Sequence, residues 1–255
     1  MLRPVSEVHP MPELRDRVEA WLLLGLAVVA LGAFALRGQP VPATDVVHPA
    51  PAGTTIGLLV LVGLLVLAVE SVRAARFADP RFRAVRAPLV LALVSQIALV
   101  LFGAQPLVAG GAVVVGVVAL AAAAGRLVRL EPARTLRTRL TLHGPVSLAL
   151  GWTAALTPAA GELLGAGLGL GGGEASVLLA WAAVFTVAIT GTWAVECVRA
   201  PLPFAVALVW GLVWILPGGS GWIVTPVLVA VLAIVWTLVR RLTRGGPPTW
   251  SGAFA

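Results

Sequence analysis

The sequence predicts an all-α, polytopic integral membrane protein of about eight transmembrane helices, and three observations carry that prediction. Apolar residues make up 59% and charged residues 11% of the 255 residues, whereas soluble domains use roughly 25% charged residues. The apolar residues gather in eight long runs, most of them near the roughly 20 residues that a helix needs to cross the hydrocarbon core. The basic residues alternate between the gaps: 17 of the 18 arginines fall in the tails and the even-numbered gaps, which the bias of cytoplasmic loops toward basic residues explains only if the count of spans is even.

Taken in order, the candidate spans are Val18–Leu36, Thr54–Val72, Ala87–Phe102, Leu107–Gly125, Pro145–Leu163, Ala175–Cys197, Leu202–Leu216 and Gly221–Val239. The seventh is short and begins between Pro201 and Pro203. Segment 1–17 reads as a cytoplasmic tail, 18–163 as a first membrane unit of five spans, 164–239 as a second of three, and 240–255 as a cytoplasmic tail. Both termini are therefore expected on the cytoplasmic side of a bacterial inner membrane. The first 20 residues are mixed in charge and hold three prolines, which is not the pattern of a cleaved signal peptide.

The arginine clusters Arg73–Arg86 and Arg126–Arg139 read as cytoplasmic loops, and the Pro-rich stretch 38–53 as an external connection. The Gly-rich stretch from Leu163 to Glu174 reads as a linker, because no Lys-Ser/Thr follows its glycines as a phosphate loop requires. The fifth span is singled out: it follows a basic segment, opens at Pro145, holds Trp152 and meets a kink-prone Thr157-Pro158.

Several function classes are disfavoured. A formal charge of +7 invites a nucleic-acid reading, yet the arginines are dispersed between apolar runs and have no interleaved aromatics. One cysteine, Cys197, excludes an internal disulfide and a cysteine-based metal cluster, and His9, His48 and His143 fall in separate gaps where they read as solvated or headgroup-level side chains. Cys197 itself reads as a small packing residue. No nucleophile–base pair or phosphate loop stands out, so an enzyme is not expected and no metal is assigned.

Polar groups within or beside spans are costly and carry the remaining information. Glu70 and Glu196 each have an arginine three residues on, Arg73 and Arg199, and read as interfacial ion pairs that set helix depth. They belong to a repeated AVExVRA, Ala68–Ala74 and Ala194–Ala200, which admits a transporter of two four-span halves. Ser95, Gln96, Thr153, Thr157, Thr186 and Thr190 lie deeper, either bonding helix to helix or lining a cavity. Small residues at Ala121–Gly125 and Ala180–Ala183 are expected to let helices approach closely. Tryptophan is concentrated in the second half: Trp222 and Trp250 suit an interfacial belt, while Trp152, Trp193 and Trp210 lie deeper.

Pro51-Ala52-Gly53, the loop Asp79–Arg83, Gln96-Ile97-Ala98, the run Gly144–Thr157 and the run Ala207–Val213 together resemble the long bacterial relatives of the translocator protein, the TspO/MBR or tryptophan-rich sensory family, from about Pro51 to Leu216. The resemblance implies a five-helix core in spans one to five, and binding of porphyrins or other flat apolar ligands among its helices. Leu59 and Gly63 stand where the family has aromatics, and Gln96 and Ala160 where it has Asn. On this reading the chain binds a hydrophobic small molecule (a tetrapyrrole, a carotenoid or a lipid) as sensor or carrier, with Gln96 as polar anchor and Trp152, Thr157 and Trp210 completing the pocket. The alternatives are an accessory subunit of a larger membrane complex or homo-oligomer, and a secondary transporter.

Overall fold

A computed structural model describes residues 13–37, 55–73, 76–130, 135–170, 173–217 and 219–244. The expectations placed on His9, His48, Trp250, Arg134, the connection 38–53 and Pro51-Ala52-Gly53 lie outside these residues. Among the described residues all regular structure is helical: α1 Leu14–Arg37, α2 Thr55–Ser71, α3 Pro80–Phe102, α4 Pro106–Arg129, α5 Leu136–Thr138, α6 Gly144–Ala155, α7 Thr157–Gly167, α8 Gly173–Cys197, α9 Pro201–Val213 and α10 Gly221–Thr243.

Five of these, α1, α3, α4, α8 and α10, are long and apolar enough to cross a membrane. The apolar helices α2 and α9 have 17 and 13 residues, and the fifth apolar run is divided. That run begins earlier than Pro145: α5 leads into a π turn, Arg139–His143, whose register lets Gly144 N–H donate to Arg139 O just before the proline. Pro145 has no N–H to give, so a widened turn ahead of it absorbs the missing hydrogen bond. The second break falls at Leu156, between α6 and α7, where Pro158 again withholds a donor.

The arginine clusters are more helical than the sequence suggests. Asp79 caps α3 by accepting from Arg81 N at 3.0 Å, and Pro80 takes the first-turn position where no N–H is needed. Arg81, Arg83 and Arg86 therefore lie on α3, and Arg126 and Arg129 on the last turn of α4. The linker expected from Leu163 is shorter too, since α7 continues to Gly167 and the chain turns at Gly169, whose φ of 77° suits glycine.

The broken helix is the hub. α6 packs against α2, α4 and α9, α7 packs against α4 and α8, α3 lies between α1 and α4, and α10 covers α8 and α9. Trp152 on α6 is 2% exposed. Its Cζ3 and Cε3 edge rests on Gly211 of α9, 3.3 and 3.4 Å from where a Cβ would stand, and the Cβ of Ala155 would overlap that carbon outright, so only glycine lets the two helices meet there. The expected close approach by small residues holds for α8, where Ala183 meets Gly161 of α7, but not for the whole of Ala121–Gly125, in which only Ala123 and Ala124 are buried.

One end of the bundle is tied by arginine. Arg86 is fully buried and donates to Ser71 Oγ (3.0 Å), Arg76 O (3.0 Å), Phe77 O (3.1 Å) and Asp16 Oδ1 (3.5 Å). Asp16 also accepts from Arg83. Arg137 reaches Glu70 at 2.8 Å and Arg126 reaches Ala84 O at 3.0 Å. These bonds bring the start of α1, the end of α2, the start of α3, the end of α4 and the start of α5 to a common side, as alternating arginine-rich gaps require.

Candidate functional site

The four residues expected to form one pocket occupy three places. Gln96 of α3 and Trp152 of α6 line the same void, together with Phe34 of α1 and Val60 of α2. Its volume is about 10 Å³, which is room for a water and not for a tetrapyrrole. Thr157 lies in a separate crevice beside the α6–α7 break. Trp210 lies on α9, 40% exposed, with its ring 5.9 Å from that of Trp214.

The void is nonetheless chemically specific. Trp152 Nε1–H is buried with no hydrogen-bond partner, and the Gly211 contact uses the opposite edge of its ring. Gln96 is half-buried and makes no hydrogen bond among the described residues. A donor that must be satisfied and an amide that can satisfy it thus belong to two residues that line one small space.

The crevice is much larger, about 380 Å³. One wall is the second half of α4, with Val117, Ala121, Gly125 and Val128; the other is the second half of α8, with Thr186, Thr190, Trp193 and Cys197. Leu150 and Ala154 of α6, Thr157 of α7 and Phe204 of α9 form its floor. It exists because α4 and α8 both pack on α7, whereas below the break α9 takes the place of α8 against α6. There the carbonyl of Phe204 comes so close to Gly151 that no side chain fits between.

The lining offers a ligand very little polarity. Thr186 Oγ1 donates to Ala182 O at 2.7 Å and Thr190 Oγ1 to Thr186 O at 2.6 Å. Ser95 and Thr153 likewise donate to Ala92 O and Ala149 O. These four hydroxyls bond within their own helices, the nearest acceptors in an apolar medium, and not helix to helix; Thr157, Thr186 and Thr190 line a cavity, the other expectation placed on them. The expected packing role of Cys197 is also revised: it is exposed and forms part of a crevice wall.

The interfacial ion pairs differ between the two repeats. Glu70 does pair with Arg73, at 2.8 Å, and shares the same oxygen with Arg137. Glu196 does not pair with Arg199; it accepts from Arg240 of α10 at 2.8 Å and from Arg244, just past the end of α10, at 3.1 Å. Both helices end one residue after the glutamate, at Ser71 and Cys197, so the helix end does not separate the two cases; α10 does, by offering Glu196 its own arginine. Arg199 reaches across instead and donates to Val128 O and Leu130 O, both at 2.8 Å, at the carboxyl end of α4. His143 is corrected as well: the π turn carries it inward, where it is 3% exposed and neither ring nitrogen has a partner.

Residues 42–241 match the family described as TSPO-like protein. The chain belongs to the TSPO-like family. The match omits α1 and extends to Arg241 on α10, further at both ends than the resemblance read from Pro51 to Leu216. No curated protein and no solved structure matches this TSPO-like chain. With its apolar helices, membership makes it a multi-pass membrane protein in a lipid bilayer. Among the described residues no three His, Cys, Asp or Glu side chains stand together to hold a metal ion. Sequence reasoning did not gather Trp193, Cys197 and the Ala121–Gly125 stripe into a site; the signal available was small residues at i, i+4 on a helix with no partner for that face.

Proposed function

We propose that this TSPO-like protein binds an apolar small molecule in the crevice between α4 and α8, as a sensor or carrier, without catalysing a reaction. In this reading the chain crosses a bacterial inner membrane eight times, with both termini and the arginine-rich end in the cytoplasm. The observation that carries it is the crevice itself: about 380 Å³, within the range of about 300–1,000 Å³ usual for ligand sites, with the hydroxyls of Thr186 and Thr190 already donated to backbone. A guest gains by filling apolar space, and only three threonine hydroxyls line the slot for any polar group it carries.

The test is mild-detergent purification from the native membrane, mass spectrometry of what accompanies the chain, and quenching of Trp fluorescence by a carotenoid, a porphyrin and haem. Saturable quenching is expected, lost in Ala121→Phe, which fills the slot from its wall, and kept in Trp210→Phe. A chain without ligand or saturable quenching, accompanied by a fixed set of proteins, would instead make it an accessory subunit.

A further inference from the structure

We infer that the crevice is the tail slot of an anionic membrane lipid, whose headgroup is held at the arginine-rich end by Arg129 and Arg199. This rests on the proposed use of the crevice and names the guest. The α4 wall runs from Val117 to Val128, a helical length of about 16 Å, so the space is long and narrow, a shape for a chain more than for a flat ring. Ala121, Gly125, Thr190 and Trp193 are exposed along it, so the slot opens sideways and a guest enters from the bilayer.

The charge lies at one end. Arg129 follows Ala121 and Gly125 at intervals of four, which sets it on the same stripe of α4, one turn beyond Gly125 and next to the last lining residue, Val128. It is exposed and makes no hydrogen bond or ion pair among the described residues. Arg199 spans the same end: one Nη holds the α4 carbonyls while its buried Nε has no partner. Glu196, at the end of the opposite wall, is already bound by Arg240 and Arg244. The end of the slot is thus cationic, and a phosphate there gains charge-assisted hydrogen bonds. The slot can serve the tail alone, so the head must sit at this mouth.

The full chain is purified in mild detergent and offered phosphatidylglycerol or phosphatidylcholine with identical tails. Binding is read by native mass spectrometry and by protection of Cys197 from a maleimide. The expected result is a roughly tenfold preference for the anionic lipid, falling to about twofold or less in Arg129→Gln and restored in Arg129→Lys. Protection by a neutral carotenoid should be unchanged in Arg129→Gln, and Ala121→Phe should lose both ligands. Carotenoid protection without any headgroup preference overturns this inference and leaves the proposed function standing. No protection by any guest overturns both, and equal protection by inorganic phosphate overturns the lipid assignment.

Discussion

The backbone carbonyl of Phe204 on α9 occupies the space that a Cβ on Gly151 of α6 would need. This contact lets a helix of 13 residues seat itself against the hub and leaves α8 free to stand away from α6, which opens the crevice. Gly151→Ala is expected to cost about 1–3 kcal/mol, because backbone cannot swing aside as a side-chain tip can. Gly125→Ala is its control: nothing lies within 4 Å of the added carbon, and alanine in a helix interior gains up to about 1 kcal/mol. Thermal unfolding in detergent should therefore move in opposite directions for the two variants.

Arg86 is the second structural keystone. Its guanidinium satisfies carbonyls of Arg76 and Phe77 as well as Ser71 and Asp16, so removing it strands several acceptors together and leaves Asp16 to Arg83. Arg86→Met is expected to cost about 3–5 kcal/mol, since several acceptors lose their donor at about 1–3 kcal/mol each. Asp16→Asn should cost less, about 1–3 kcal/mol, because Arg86 keeps its other partners. Equal losses for the two variants in a denaturation series would show that the Asp16 contact alone matters.

The sequence displays the helices plainly, since an apolar run long enough to cross a membrane has few other fates, and it marks Arg137–Ala160 as central through Pro145, Trp152 and Pro158. It hides whatever depends on neighbours. Arg86 looked like a loop residue because its run of arginines precedes the apolar window, whereas Asp79 and Pro80 start the helix earlier. Arg199 looked like the partner of Glu196 because spacing alone cannot show that Arg240 claims the glutamate and the end of α4 claims Arg199. Gln96 and Trp152 were legible as neighbours, whereas the crevice was not: it is an absence of packing, and Ala121 and Gly125 read equally as a surface made for another helix.

Gln96 and Trp152 test what the small void holds. A water bridging Trp152 Nε1–H and the Gln96 amide would satisfy the orphaned donor in a space of about 10 Å³. Gln96→Leu removes that acceptor and leaves the indole N–H buried alone, so a loss of about 1–3 kcal/mol is expected. A gain in melting temperature would show instead that the amide is an unsatisfied burden. Either way, ligand quenching should be unaffected, because the void and the crevice share no lining residue.

Cys197 makes the crevice measurable without any substitution. It is the single cysteine of the chain, it is exposed, and it lines the wall of α8 at the arginine-rich end. An apolar maleimide that partitions into the slot should label it faster than a charged one of the same reactive group, since the lining is apolar apart from three threonines and the thiol itself. A bound guest should slow the apolar reagent in proportion to occupancy, and Gly125→Leu, which narrows the opposite wall, should slow it with no guest present. Labelling of the same rate by both reagents, indifferent to any guest, would place the thiol in open solvent and remove the crevice as a binding site.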